Sequence, residues 1–265
     1  MVAPLGRQFS TGPGPWGLAI SPNGKTVVTS DGGPNKYSLS VLLNEKDGWR
    51  GVTHTAVKRG DKEKEAEDDF YSVFMGLTFE DDKDIFASEG NSGNVRILGA
   101  QSGHTKHVFK LNTGNFRDSY SGDLVFDRPR GILYVVDQAN FRVVGLDVKK
   151  RRIISSTRVG RLPFAIGLSP DRKHVWVTNL GMFEYSAVPG ADKRNARETG
   201  LPFPAFGFPS NEALVGVRRP NGKGEMVDVP GLGDLNVKES NSVTVINSGS
   251  ASSCSASTCI EMREG

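Results

Sequence analysis

The sequence predicts an all-β fold: a β-propeller with about four four-stranded blades in an incomplete or open ring, and a long loop insertion in the last blade. Three observations lead there. A strand–turn–strand unit recurs four times, and its copies are spaced close to the length of one propeller blade. No stretch sustains a helical period except the short charged run Lys62–Asp68, KEKEAED. Alternating or continuous apolar runs bounded by Pro, Gly, Asn and Asp account for most of the rest.

The first unit is Trp16-Gly17-Leu18-Ala19-Ile20, the turn Ser21-Pro22-Asn23-Gly24-Lys25, and the strand Thr26–Ser30. The second is Met75–Phe79, the acidic turn Glu80-Asp81-Asp82-Lys83, and the strand Ile85–Glu89. The third is Gly122–Phe126, a turn one residue longer at Asp127–Gly131, and the strand Leu133–Asp137. The fourth is Phe164–Leu168, Ser169-Pro170-Asp171-Arg172-Lys173, and His174–Asn179. Leu18, Leu77, Leu124 and Leu168 are read as equivalent, at spacings of 59, 47 and 44 residues. The turns hold Pro, Asn, Asp and Gly where a hairpin uses them.

A third strand follows in each unit: Ser38–Leu42, Asn94–Leu98, Phe141–Leu146 and Ser242–Ile246. Weaker fourth strands lie near Val52–Val57, His107–Leu111 and Ile153–Val159, as expected where one edge meets solvent. The blades fall at 13–57, 72–111, 120–160 and 162–247 within a propeller spanning 6–247, and the insertion occupies 181–240. Loops of this length are commonly functional, and its aromatic and Pro content argues for an ordered excursion over one face. Gly6–Ser10 sits where an outer strand would lie and could complete the last blade. The preferred alternative is that the chain is a piece of a larger ring. The Ser-rich tail 248–265 is expected to be disordered.

Composition narrows the function classes. A net charge of +3 over 265 residues gives no argument for nucleic acid. No apolar run is long enough to span a membrane, and MVAPLGRQFSTG shows no signal-peptide core. Cys254 and Cys259 are too few to close a zinc site, and no role is assigned to them.

The units resemble the YVTN family of β-propellers, whose repeat runs apolar strand, Ser-Pro-Asp-Gly-Lys turn, then a strand near Leu-Tyr-Val-Thr-Asn. Ser169-Pro170-Asp171 with Val177-Thr178-Asn179, and Ser21-Pro22 with Gly24-Lys25, carry the likeness. The insertion is similar to a loop in bacterial proteins that join such a propeller to a phosphoesterase of the alkaline phosphatase superfamily. The segments that carry it are Met182–Ser186, Phe203–Ser210, Pro230–Asp234 and Glu239–Val243. That resemblance implies a ring of about seven blades, a metal-dependent hydrolase after it, and a place outside the cytoplasm, periplasmic or secreted. The chain ends after four units, so the family's phosphatase activity is not carried over to it.

Four polar residues, Ser30, Glu89, Asp137 and Asn179, end the second strands and would share one rim, the binding candidates. In the insertion, Phe183, Tyr185, Phe206 and Phe208 are the candidates. The predicted role is a non-catalytic binding or scaffolding module for a ligand or protein not named by the sequence, with no cofactor and with self-association through open blade faces. The alternative is a lactonase-like hydrolase holding a divalent cation among Glu89, Asp137 and Asn179, or a fragment of a phosphoesterase-associated enzyme. The ordinary reading is that such residues terminate strands and bond the next loop.

His104 and His107 would face opposite sides of a strand, which speaks against a shared metal; His54 stands alone, and His174 opens a strand. Arg59-Gly60-Asp61 lies in a charged loop and is too short a motif to weigh. Gly90-Asn91-Ser92-Gly93-Asn94 joins two strands and opens no helix, so it forms no phosphate cradle. There is no Gly-x-Ser-x-Gly, no His-Glu-x-x-His and no EF-hand loop.

Overall fold

The structure is a computed structural model that describes residues 6–33, 36–56, 70–192, 195–202 and 204–248. Arg59-Gly60-Asp61, the run Lys62–Asp68, Val57, Phe203, Cys254, Cys259 and the tail from residue 249 onward lie outside the described residues. Two compact units divide the chain. One holds the repeated sheets; the other comprises 160–162 and 179–242.

The first sheet takes β1 (Pro15–Ile20), β2 (Thr26–Gly33), β3 (Lys36–Glu45) and β4 (Gly48–Thr55) in that order, all antiparallel. The second takes β5 (Leu77–Phe79), β6 (Asp84–Ser88), β7 (Asn94–Gly99) and β8 (Thr105–Lys110). The third takes β9 (Ser121–Asp127), β10 (Ile132–Asp137), β11 (Arg142–Asp147) and β12 (Arg152–Arg158). The fourth has three strands: β13 (Pro163–Leu168), β14 (His174–Asn179) and β17 (Ser242–Asn247). Sequential meanders of this kind need only short hairpins, which the turn residues supply.

The turns show why Ser-Pro-Asn and Ser-Pro-Asp recur. Asn23 Oδ1 accepts the Lys25 amide at 2.9 Å and the Ser21 hydroxyl at 2.8 Å, while Ser21 Oγ accepts the Thr26 amide at 2.9 Å. Asp171 repeats this with Lys173 at 3.0 Å and Ser169 at 2.6 Å, and Ser169 Oγ accepts the His174 amide at 3.0 Å. In the acidic turn, Asp81 Oδ1 accepts the Lys83 and Asp84 amides. Gly24 takes φ +69°, which the turn requires; Arg172 adopts φ +58° at the matching place.

Apolar layers lie between consecutive sheets. Val28, Leu39 and Val41 of the first pack with Leu77, Phe79 and Ile85 of the second. Phe86, Val95 and Ile97 pack with Leu124, Leu133 and Val135; Tyr134, Val136 and Val143 pack with Val175 and Val177, with Ile166 and Leu168 partly buried beside them. The innermost strands approach closely: a Cβ on Gly17 would stand 2.1 Å from the Met75 carbonyl oxygen, and one on Gly76 2.3 Å from that of Gly122. No larger residue fits there without a shift of backbone.

Two expectations need correction. The Ser21–Thr26 and Ser169–His174 bonds align Leu18 with Ile166, and Leu168 with Ile20. Both positions face the same side because strand side chains repeat every two residues, so the two-residue slip leaves the faces unchanged. Leu77 and Leu124 are buried, whereas Leu18 is exposed because no described sheet precedes its own. The second correction concerns Gly6–Ser10. This segment forms no strand of the last sheet: the Phe9 ring packs against Trp49 at 5.9 Å, tilted by 55°, and the Gly12 amide donates to Ser40 Oγ at 2.9 Å and Asp31 Oδ2 at 3.1 Å. It serves the first sheet, as the loop 70–76 serves the second.

At the other end, Ser248 is buried; its amide donates to the Lys173 carbonyl and its oxygen accepts from Arg130 Nη1 at 3.0 Å. The insertion unit contains α1 (Ala196–Thr199), α2 (Asn211–Val215) and the hairpin β15 (Gly216–Pro220) with β16 (Met226–Pro230). Ser210 caps α2 by accepting the Ala213 amide at 3.0 Å. Among the described residues, helices occur only in this unit.

Candidate functional site

The second strands of the four sheets begin at Thr26, Asp84, Ile132 and His174, and the fifth residue after each is Asp31, Glu89, Asp137 and Asn179. Asp31, not Ser30, is therefore the fourth member of the rim set. The pairing decides it: Gly17 lies opposite Ser30, and Gly76 exchanges hydrogen bonds with Ser88, the residue before Glu89. Ser30 has a separate and repeated task. Its hydroxyl accepts the Gly17 amide at 3.0 Å, Ser88 accepts Gly76 at 3.0 Å, and Thr178 accepts Ala165 at 3.2 Å. These hydroxyls tie the innermost strand to its neighbour in three of the four sheets; in the third, Val136 stands at that place.

All four rim side chains are buried, and each is held. Glu89 Oε1 accepts Arg96 Nε at 2.7 Å, and Oε2 accepts Ser92 Oγ at 2.8 Å and Asn94 Nδ2 at 3.1 Å. Burial pushes the Glu89 carboxyl above its ordinary value, opposed by the charge of Arg96 and by these hydrogen bonds. Asp137 Oδ2 accepts Arg142 Nε at 2.8 Å and Asn140 Nδ2 at 3.0 Å, and Oδ1 accepts the Tyr120 amide at 3.0 Å.

Among the described residues Asp31 meets no such cation; it accepts the hydroxyls of Thr29, Ser38 and Ser40 besides the Gly12 amide. Asn179 Nδ2 donates to Ser242 Oγ at 3.1 Å. Each rim residue thus ties its strand to an adjoining strand or loop, and those of the first and third blades bind the segment entering their own sheet.

The two arginines that hold Glu89 and Asp137 are the side chains at this site that the sequence reading missed. Arg96 and Arg142 are almost wholly buried, and each lies over an aromatic ring from a preceding loop: Phe70 at 5.1 Å and Phe116 at 3.4 Å. Arg142 Nη2 also reaches the Leu111 carbonyl at 2.8 Å. The signal was present as a lone Arg inside an apolar third strand, a few residues after an acid. A buried charge in that setting requires a partner.

The donor set does not fit a divalent cation. The oxygens of Glu89 and Asp137 already accept from guanidinium, amide, hydroxyl or backbone N–H groups, and a metal would have to displace a buried arginine. Among the described residues no three His, Cys, Asp or Glu groups cluster as a metal site. His54 Nε2 lies 2.8 Å from the Ala100 carbonyl oxygen, and His107 stacks edge-on against Phe109.

No protein-family model matches the chain, and no curated protein matches its sequence. A structure of the RRP9 WD40 repeats matches 64% of this chain and 46% of its own, at 15% identity and TM-score 0.50. The fold is a β-propeller. A protein from Bacteroides uniformis described as a 6-phosphogluconolactonase matches at 15% identity and TM-score 0.46, over 68% of this chain and 56% of its own. Hydrazine synthase of Kuenenia stuttgartiensis matches at 15% identity and TM-score 0.45, over 68% and 46%. The propeller chain described here therefore spans about half the length of the first of these structures.

In the insertion, Phe183 is half-buried and packs edge-on against Tyr185 at 5.9 Å and Phe208 at 5.1 Å; both partners are exposed. Phe206 is half-buried and lies outside these ring contacts. Arg161 is the buried anchor of this unit, donating to the carbonyls of Met182 at 2.8 Å and Asp234 at 2.5 Å. Arg161 thereby joins two of the segments that the sequence singled out, Met182–Ser186 and Pro230–Asp234.

Proposed function

We propose that this chain is a non-catalytic binding or scaffolding propeller, working through its rim loops and the aromatic surface of the insertion. By resemblance it is the N-terminal propeller part of a bacterial propeller–phosphoesterase protein acting outside the cytoplasm. The observation that carries the reading is the fate of the rim acids. Glu89 and Asp137 are each committed to a buried arginine, which leaves neither as a free base or metal ligand. The exposed Tyr185 and Phe208 rings, by contrast, offer apolar contact surface of the kind partners use.

The test pairs thermal melts with turnover assays. The purified chain is melted with and without calcium, magnesium and manganese, and assayed on a δ-lactone and a phosphodiester. The expected result is an unchanged Tm and no turnover. A cation-dependent rise in Tm that disappears in Asp137→Asn would overturn the reading in favour of a hydrolase.

A further inference from the structure

The sheets carry their rim residues at one end and their strand-opening turns at the other. Positive charge gathers at the turn end of the third and fourth sheets. The β11–β12 tip reads Asp147-Val148-Lys149-Lys150-Arg151-Arg152, and its four cations are exposed. Two neighbouring turns, Asp127–Gly131 and Ser169–Lys173, add an exposed pair of cations each. At the same end of the second sheet the sign reverses, in Glu80-Asp81-Asp82-Lys83.

Backbone contacts make the three basic turns one surface. The Val148 amide donates to the Gly131 carbonyl at 3.0 Å, and Arg130 Nη1 donates to the Arg172 carbonyl at 2.5 Å. Each turn holds one aspartate, spent inside that turn. Asp127 Oδ2 accepts Arg130 Nη1 at 2.7 Å, Asp147 Oδ1 accepts the Lys150 amide at 2.8 Å, and Asp171 Oδ1 accepts the Lys173 amide at 3.0 Å. Lys150 Nζ lies 3.4 Å from Asp147 Oδ2, yet its side chain is 63% exposed.

None of these turns contains an aromatic residue or a large exposed apolar one. Single-stranded nucleic acid is held by stacking on aromatic rings, and duplex sequence is read by an element that enters a groove. A folded partner needs an interface core that is apolar and poor in charge. Charge alone, on hairpin tips, matches a planar array of phosphates, which draws in Lys and Arg without a shaped pocket.

We propose that the turn end of the third and fourth sheets docks reversibly on a bilayer containing anionic phospholipid. The β11–β12 tip lies against the headgroups, and the acidic turn of the second sheet is turned away from them. The docking is independent of what the rim or the insertion binds.

The experiment sediments the full chain with vesicles of phosphatidylcholine, alone or in roughly equal mixture with phosphatidylglycerol. The parent should partition to the mixed vesicles and not to phosphatidylcholine. Salt should release it, because the screening length falls from about 10 Å at about 0.1 M to about 3 Å at about 1 M. Each cation near the surface strengthens partitioning about fivefold, so Lys149→Gln with Lys150→Gln should weaken it about 25-fold. Lys25→Gln with Lys46→Gln removes the same charge from the first sheet and should change it less than about fivefold. All four sites are exposed, so circular dichroism of both variants should match the parent.

No partitioning, equal partitioning to both vesicles, or binding that resists salt overturns the proposal. Equal losses in the two double variants overturn it too, since net charge and not this surface would then govern. Tighter binding to duplex DNA than to mixed vesicles, at equal phosphate concentration, overturns it in favour of a nucleic-acid surface.

Discussion

Replacing Arg96 with Met tests the account of the rim most directly. The Arg96 side chain is 1% exposed, and its Nε lies 2.7 Å from a Glu89 carboxylate that is wholly buried. Removal leaves that carboxylate with one hydroxyl and one amide donor. Breaking a buried pair in this way costs about 3–5 kcal/mol. For a domain of this size each kcal/mol lowers Tm by roughly 2–4 °C, so a fall of about 10 °C is expected.

The deficit depends on pH. Burial already raises the Glu89 pKa, and Arg96 opposes that rise. Without Arg96 the rise is larger. Between the unfolded and folded pKa values the folded state keeps a proton that the unfolded state has released, so stability falls as pH increases through that window. The deficit of Arg96→Met is therefore largest at neutral pH and shrinks on acidification toward the unfolded Glu value of about 4.3.

The assay is urea denaturation followed by tryptophan fluorescence at neutral and mildly acid pH. A double variant, Glu89→Met with Arg96→Met, should lose less than the single one, because no buried charge remains. A single-variant loss under about 1 kcal/mol, where an exposed pair would lie, would refute the reasoning. So would a deficit equal at both pH values.

Two further predictions concern the repeat itself. Gly76→Ala forces a Cβ to 2.3 Å from the Gly122 carbonyl and should destabilise by about 1–3 kcal/mol, whereas Gly24→Asn, in open space at a positive φ, should cost far less; thermal melts of the two separate the effects. Ser169→Ala removes the hydroxyl that donates to Asp171 and accepts from His174, and should cost about 1 kcal/mol. The Ser169 hydrogen bond is the main cause holding the Asp171 carboxyl below its ordinary value, followed by the Lys173 amide. The stability this contributes is present above the unfolded pKa and lost as pH falls through the folded one, so parent and Ser169→Ala should converge in acid.

Much of the array was legible because its causes are local. Strand alternation, Ser-Pro-Asn and Ser-Pro-Asp turns, and tight glycines act within a few residues, and they mark each blade wherever it sits. The register of the rim was not legible to one residue: Ser30 and Asp31 are both polar at a strand end, and only the pairing of Gly17 with Ser30 distinguishes them. The Leu18 series slipped by two in the fourth unit for a related reason, since Ile166 and Leu168 share a face and spacing alone cannot separate them.

By itself the sequence determined that this chain is a succession of small antiparallel sheets with an ordered insertion. Its turns and apolar periods are short-range physics. Only the tertiary structure decided what the buried charges do. Arg96 and Arg142 acquire their partners through folding of the third strand back beside the second, and Phe70 and Phe116 cover them from loops set by the stacking of one sheet on the next. It also decided that Gly6–Ser10 serves the first blade instead of completing the last, because that choice rests on contacts between segments and not on the composition of either.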